Sequence, residues 1–126
     1  MLPHDGSVSE MPDIAYEESH LKVLRLLESD PRLSQRDLSR CLGISLGKVN
    51  YCMRFLLDGG LIEMRSLRNI DNKIEYEYLL TSKGGVIKAN LARKFLEIKK
   101  KEYSLLKEEI NLLRREADVS SVNHIV

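Results

Sequence analysis

The first apolar stripe of the chain has helical spacing and stops at a proline. Val23, Leu24 and Leu27 share one face if residues 14–29 form a helix. Because the residue before a proline is pushed out of the α region, this helix must end before Pro31. We therefore predict a first helix over about residues 14–29.

Two shorter helical segments follow, each opened by a serine that can cap a helix. Ser34 with Asp37 is close to a capping box, and Gly43 stands where a left-handed C-cap is expected. Ser45 then caps a third helix over 46–58. The apolar positions of this third helix are spaced i, i+3, i+4, i+7 and comprise Val49, Cys52, Met53 and Leu56. Two helices joined by a tight turn, the second with a polar and basic outer face, are typical of a helix-turn-helix that enters a DNA major groove.

The segment after Gly59 and Gly60 has the pattern of a hairpin. Residues 61–65 and 74–79 are predicted strands, and the loop between them is rich in Asn, Asp and basic residues. This loop is too long for a two-residue turn and suits a hairpin that projects from the body of the domain. We also interpret Gly84 and Gly85 as turn residues.

A long helical pattern runs from Thr81 to about Ala117, which is about 54 Å at the standard rise. Its second half has the alternating three- and four-residue spacing of a coiled-coil seam, and a first apolar stripe is offset from it. Because one small domain cannot cover a helix of this length, we predict pairing with a second copy of the chain. The predicted dimerisation residues are Ile87, Leu91, Phe95, Ile98, Tyr103, Leu106, Ile110 and Leu113. Parallel and antiparallel pairing remain equally open at this stage.

The predicted fold class is therefore mainly α with a small β-hairpin. The order of elements is that of a winged helix-turn-helix followed by a long C-terminal dimerisation helix. We predict a disordered tail over 1–13, a DNA-binding domain over 14–80, the long helix over 81–117 and a second disordered tail over 118–126.

The net charge of the whole chain is not informative, but the distribution of charged residues along the sequence is. The 126 residues contain 20 Lys and Arg and 19 Asp and Glu, a net charge of +1, so the total gives no argument for nucleic acid. Residues 1–20 hold five acids and no Lys or Arg, whereas residues 31–68 hold seven basic and three acidic residues. Residues 81–117 hold ten basic and five acidic residues. The two basic segments coincide with the predicted DNA-binding domain and the long helix.

Several classes of protein and site are not expected. No window approaches the roughly 18 apolar residues of a membrane span, and the first twenty residues lack the pattern of a signal peptide, which predicts a cytoplasmic protein without a membrane partner. The three histidines are scattered and there is no glycine-rich phosphate loop, so we expect no enzyme, no cofactor and no metal site. Cys41 and Cys52 are expected to be small core residues.

The motifs carry a more specific likeness. Residues 34–45, followed by Val49 and by Gly60-Leu61-Ile62, resemble the core of the MarR family of bacterial transcriptional regulators. Residues 71–73 resemble that family's wing motif Asp-x-Arg, and residues 80–84 resemble its Leu-Thr-x-x-Gly motif. The short chain with one long C-terminal helix looks most like the branch associated with exopolysaccharide genes. The resemblance implies a homodimer that binds double-stranded DNA and regulates transcription.

Two departures from the family pattern qualify this resemblance. Members of the family begin with an additional dimerisation helix, which residues 1–13 do not resemble. Because the family's small-molecule pocket lies beside the dimerisation helices, this departure counts against a small-molecule effector. Lys73 stands where the family has Arg, and a lysine contacts a phosphate as a point charge rather than in a bidentate manner.

The candidate DNA contacts come from three places. Asn50, Tyr51 and Arg54 are predicted to contact base edges, because Arg and Asn pair with guanine and adenine. Four residues start the same helix: Ser45, Leu46, Gly47 and Lys48. Phosphate and wing contacts are predicted for Gln35, Arg36, Arg65, Arg68 and Lys73.

Plainer interpretations stand beside these. The outer face of the third helix could simply be solvated, and Glu63, Glu75 and Glu77 could pair with the wing cations. A winged helix can also serve as a protein-interaction adaptor, with the long helix paired to a different protein.

Overall fold

The computed structural model describes residues 16–125, with side chains described through residue 119. The predicted tail over 1–13 lies outside the described residues. In the described part of the chain, the fold is mainly α with one antiparallel hairpin, which confirms the predicted fold class. In chain order the elements are α1 (Glu18–Ser29), α2 (Gln35–Leu42), α3 (Leu46–Asp58), β1 (Ile62–Arg68), β2 (Ile74–Leu80) and α4 (Ser82–Ile125).

Helices α2 and α3 begin and end where their capping residues predict. The Ser34 hydroxyl accepts a hydrogen bond from the Asp37 backbone N–H at 3.0 Å, and the Asp37 carboxylate accepts one from the Ser34 N–H at 3.0 Å. That backbone hydrogen bond lowers the pKa of the Asp37 carboxyl. Gly43 closes α2 in the left-handed region, with φ of 67°, and Ser45 caps α3 through the Lys48 N–H.

One apolar core lies within residues 16–92. The predicted stripe of α3 is buried in it along its whole length, together with Leu24 and Leu27 of α1 and Leu61 after α3. Cys52 belongs to this core, but Cys41 is exposed, so the expectation for Cys41 is wrong. The reason is that α2 is short and Leu38 is the side chain that it buries.

The hairpin, here called the wing, pairs β1 with β2 from Ile62 opposite Leu80 to Arg68 opposite Ile74. Because β1 continues to Arg68, the loop is shorter than predicted and comprises residues 69–73. The Asn69 side-chain oxygen accepts backbone hydrogen bonds from Asp71 and Lys73 at 2.9 Å each, which fixes the shape of this loop.

Helix α4 starts in tight contact with Gly60 and Leu61, which lie between α3 and β1. Thr81 caps the helix, because its hydroxyl accepts from the Gly84 N–H at 3.0 Å and donates to the Gly60 carbonyl at 2.6 Å. Gly84 lies directly against the Leu61 carbonyl oxygen, where a Cβ would come within 2.0 Å of it. Gly84 and Gly85 are thus helical residues, and their interpretation as turn residues is wrong.

The long helix α4 differs from the prediction in where it ends and in which of its first apolar residues are exposed. It continues to Ile125, beyond the predicted end near Ala117, because residues 118–125 contain neither Pro nor Gly to stop it.

Ile87 and Leu91 are buried in the core of residues 16–92, so their assignment to a dimer surface is wrong. Residues 93–125 form a second unit, in which Phe95 is partly exposed. The other predicted seam side chains are exposed: Ile98, Tyr103, Leu106, Ile110 and Leu113.

No helix within residues 16–125 combines the length and the apolar character that crossing a membrane requires.

Candidate nucleic-acid interface

The outer face of α3 is polar and its inner face is anchored in the core. Asn50, Tyr51 and Arg54 are exposed on the outer face, while the apolar stripe on the inner face is buried. Such a helix is held rigidly and presents side chains that can donate and accept hydrogen bonds at base edges.

The start of α2 shares this surface. The Asn50 side-chain NH2 donates a hydrogen bond to the Gln35 side-chain oxygen at 3.3 Å, although the two residues are 15 positions apart. Arg36 is exposed next to Gln35. The structure therefore brings together candidate contacts that the sequence suggested separately on two helices.

The first turn of α3 allows close approach of another molecule. A Cβ on Gly47 would meet only the Ser45 hydroxyl, at 4.0 Å, and Leu46 is 43% exposed. The Ser45 hydroxyl itself is used as the helix cap. Free backbone N–H groups and the positive end of the helix dipole make such a turn favourable for a phosphate.

Lys48 is held by a carboxylate that sequence reasoning missed. Its ammonium lies 2.7 Å from the Glu17 carboxylate and 5.5 Å from the centre of the Tyr51 ring. The Lys48 hydrogen bond holds the pKa of the Glu17 carboxyl below its ordinary value, and the same bond raises the pKa of Lys48. No local pattern predicts a pair of residues that are 31 positions apart.

A group of aromatic side chains supports α3 beside this ion pair. The His20 ring packs against Tyr16 and Phe55, with ring centres 5.4 Å and 5.0 Å away, and Phe55 also contacts Tyr51. His20 is buried; its Nδ1 accepts the Glu17 backbone N–H at 2.8 Å, and its Nε2 has no hydrogen-bond partner among the described atoms. Burial lowers the pKa of His20, so the neutral ring is favoured.

The basic side chains of the wing fall into two groups, one paired with a carboxylate of the same chain and one left exposed near the loop. Arg65 donates two hydrogen bonds to the buried Glu77 carboxylate, at 2.9 Å and 2.5 Å, and Arg32 lies 3.7 Å from the other oxygen of that carboxylate. The intramolecular alternative therefore holds for Arg65, and Arg32 is a residue that sequence reasoning missed. Arg68 donates to the Asn72 carbonyl at 3.0 Å, and the side chains of Arg68 and Lys73 remain exposed close to the loop.

The described residues contain no group of three or more His, Cys, Asp or Glu side chains placed to hold a metal ion.

Comparisons with known proteins agree with this geometry. A family model described as a winged helix-turn-helix DNA-binding domain matches residues 17–63. The HTH-type transcriptional regulator PetP of Rhodobacter capsulatus is 31% identical over 77 residues, which are 61% of this chain. The match spans 45% of the length of PetP.

Solved structures show the same fold over nearly the whole chain. The DNA complex of MepR from Staphylococcus aureus has a TM-score of 0.59 at 18% identity and covers 97% of this chain and 85% of that one. The adhesin competence repressor AdcR from Streptococcus pyogenes has a TM-score of 0.55 at 19% identity, with 93% and 88% covered. MepR and AdcR are MarR-family regulators, and at these identities the likeness concerns the fold. The chain has a winged helix-turn-helix fold similar to those of MepR and AdcR.

This result confirms the predicted winged helix-turn-helix and agrees with the resemblance of the motifs to the MarR family. Within the winged helix-turn-helix fold, α2 and α3 are the helix-turn-helix and the hairpin is the wing, so α3 is the candidate recognition helix. The likeness to the exopolysaccharide-associated branch stays a prediction.

Replacement of Glu17 is expected to strengthen DNA binding by this winged helix. Glu17→Gln removes the carboxylate that holds Lys48, while a glutamine can still act at the start of α1. We expect DNA affinity to rise several-fold at low salt, with a steeper salt dependence because one more cation is free for phosphate. Glu18→Gln, which removes the neighbouring carboxylate paired with Lys22, is the matched control. Equal effects of the two variants in a titration by fluorescence anisotropy would show that Glu17 does not restrain Lys48.

Titration of His20 is expected to make the stability of the domain depend on pH. Because the folded pKa of His20 is depressed, the stabilisation is complete above its ordinary value of about 6.5 and is lost as pH falls through the folded value. Protonation would also turn Nδ1 into a donor and break its bond with the Glu17 N–H. His20→Gln should lower stability at neutral pH but abolish this part of the pH dependence. Urea denaturation of both proteins at about pH 7.5 and 5.5 tests this, and parallel losses in the two would contradict it.

Proposed function

We propose that this protein is a sequence-specific DNA-binding transcriptional regulator that binds operator DNA as a homodimer. The observation that carries the proposal is the outer face of α3, where Asn50, Tyr51 and Arg54 are exposed on a helix anchored by a buried stripe. The hydrogen bond from Asn50 to Gln35 adds the start of α2 to the same surface. A DNA-binding role of this kind belongs in the cytoplasm of a bacterial cell.

Each part of the surface has a distinct role in this proposal. Arg54 and Asn50 contact base edges in the major groove, since these side chains pair bidentately with guanine and adenine. Tyr51 lies on the same exposed face and is also proposed to contact the base edges. The first turn of α3 lies against the DNA backbone through Ser45, Leu46, Gly47 and Lys48. Phosphate contacts come from Gln35 and Arg36 at the start of α2.

The wing contributes chiefly through the cations near its loop. Arg68 and Lys73 are exposed there and are suited to the phosphates or the edge of a minor groove. Arg65 contributes by shaping the wing, because its guanidinium is bound to Glu77.

The homodimer is supported by exposed apolar side chains on the second unit. An exposed stripe on a helix with nothing covering it in one chain marks an interaction surface. The side chains proposed for dimerisation are Phe95, Ile98, Tyr103, Leu106, Ile110 and Leu113. Two copies related by a two-fold axis would bind two half-sites about 34–36 Å apart, one turn of DNA.

The relatives support regulation of transcription without identifying the genes. PetP is a transcriptional regulator, and MepR has been crystallised on DNA. Regulation of exopolysaccharide genes is proposed on the resemblance of the chain to that branch of the family.

Selection from a random DNA library tests this function directly. We expect the full chain to enrich a sequence with two inverted half-sites one helical turn apart. Enrichment of no sequence would contradict the proposal. The exposed seam would then favour the alternative, an adaptor whose long helix pairs with a different protein.

A further inference from the structure

We infer that the homodimer is held by a parallel, in-register, two-stranded coiled coil over residues 103–117. This inference rests on the homodimer proposed above and adds the direction and the register of its helices. The second unit, residues 93–125, is helical throughout and carries the seam and its flanking charges.

The seam follows a heptad pattern, with positions lettered a to g. Tyr103, Ile110 and Ala117 occupy position a, and Leu106 and Leu113 occupy position d. All five side chains are exposed in the single chain. A β-branched residue at a with leucine at d favours two parallel strands, and Ile110 lies between Leu106 and Leu113 in that arrangement.

The charges beside the seam are sorted by position. Position g is acidic in three successive heptads, at Glu102, Glu109 and Glu116. Position e is basic in three successive heptads, at Lys100, Lys107 and Arg114. Positions e and g are the ones that flank the seam and form ion pairs between helices.

This sorting distinguishes the two directions of pairing. In a parallel pair, position g faces position e of the next heptad on the other helix, so Glu102 meets the partner's Lys107 and Glu109 meets the partner's Arg114. In an antiparallel pair, g faces g and e faces e, which sets acid against acid and base against base. Like charges placed opposite each other are unfavourable, so the charge pattern selects the parallel direction.

Three of the four charges concerned are available for a partner, and the fourth, Glu102, is exposed beside Lys99. Glu109, Lys107 and Arg114 are exposed and form no ion pair within the described part of the chain. Further towards the N-terminus Lys99 occupies position d, and Glu102 and Glu97 contact Lys99 and Lys100 at 3.4 Å and 3.5 Å. The seam therefore begins at Tyr103.

A second apolar column on α4 does not offer an equivalent seam. Leu105, Leu112 and Val119 repeat every seven residues and are exposed. The positions three and four residues after Leu105 are Glu108 and Glu109, and those after Leu112 are Arg115 and Glu116. A seam along this column would therefore bury a charged side chain in each heptad. The column lies outside the proposed interface.

Spin labels at two sites test the direction of pairing. In a Cys41→Ser background, in which Cys52 is buried, single cysteines replace Lys101 or Arg115, both at the outward position f. A parallel, in-register pair gives the same short distance between equivalent labels at both sites. In any antiparallel pair, equivalent labels on the two helices are displaced along the coil axis. Because residues 101 and 115 are 14 positions apart, the displacements at the two sites must add to at least about 42 Å, which is twice the rise over 14 residues. Equal short distances are expected; one long distance would overturn the proposal. The Cys41→Ser parent must give no distance.

Charge reversal at neighbouring residues tests the ion pairs. Glu109→Lys should weaken dimerisation about tenfold at low salt, since two symmetry-related pairs change sign. Adding Arg114→Glu should restore it. Glu108→Lys makes the same charge change at position f and should leave the dimer within about twofold of the parent. In an antiparallel coil Glu109→Lys would leave dimerisation unchanged or strengthen it.

Sedimentation of the parent separates the two proposals. A monomer at all concentrations would contradict the homodimer itself. A dimer in which an axial offset lengthens the distance at either site would contradict only the parallel direction.

Discussion

Gly84→Ala is expected to destabilise the protein by about 2 kcal/mol or more, although alanine is the better helix former. A Cβ at this position would lie 2.0 Å from the Leu61 carbonyl oxygen and 3.0 Å from its carbon. These are backbone atoms, and the Leu61 carbonyl also accepts the Thr81 N–H at 3.0 Å, so the start of α4 must move away from the core. A contact this close with backbone atoms puts the cost at the upper end of the usual range, about 3 kcal/mol or more, which exceeds the roughly 1 kcal/mol that alanine gains over glycine in a helix.

The next residue provides the matched control. A Cβ on Gly85 meets nothing within 4 Å, and Gly85 is also helical. Gly85→Ala should therefore raise the free energy of unfolding by about 0.5–1 kcal/mol. Urea denaturation of both variants measures the difference. Two variants of equal stability would show that the contact between Gly84 and Leu61 does not limit the packing of α4.

The double replacement Asn50→Ala with Arg54→Ala is expected to lower specific DNA affinity at least about thirtyfold. Each bidentate contact to a base contributes about 1–3 kcal/mol of discrimination. Both side chains are exposed and lie outside the core, so the fold and the dimer should remain intact. Binding to an unrelated duplex should fall much less, because it depends mainly on phosphate contacts.

Arg25→Ala is the control for the lost charge. Arg25 is exposed on α1 and lies outside the proposed contact surface. It should change affinity only slightly, through the net charge. If Arg25→Ala and the double replacement weaken specific DNA binding equally, α3 does not recognise the bases. Circular dichroism and sedimentation on the same samples confirm that each variant is folded and dimeric.

The helix-turn-helix could be predicted closely because its signals are local. Ser34, Gly43 and Ser45 determine where α2 and α3 begin and end through contacts over three or four residues. The buried stripe of α3 follows from helical periodicity alone. The same periodicity also identifies from the sequence which residues of α3 lie on its outer face.

Other features depend on contacts between distant positions. Periodicity identified Ile87 and Leu91 as an apolar face but not which neighbour covers it, and the core of residues 16–92 does so. The ion pair of Glu17 with Lys48 and the burial of His20 arise from the packing of α1 on α3. Neither has a short-range pattern that would reveal it.

The central claim is that this protein recognises a specific DNA sequence through α3. The most direct measurement is fluorescence anisotropy of the full chain with duplex DNA from the region upstream of its own gene and with a scrambled duplex, over roughly 50–200 mM salt. We expect affinity for both to fall steeply with salt and the upstream duplex to bind more tightly throughout. Weak, equal and salt-insensitive binding to the two duplexes would contradict the claim.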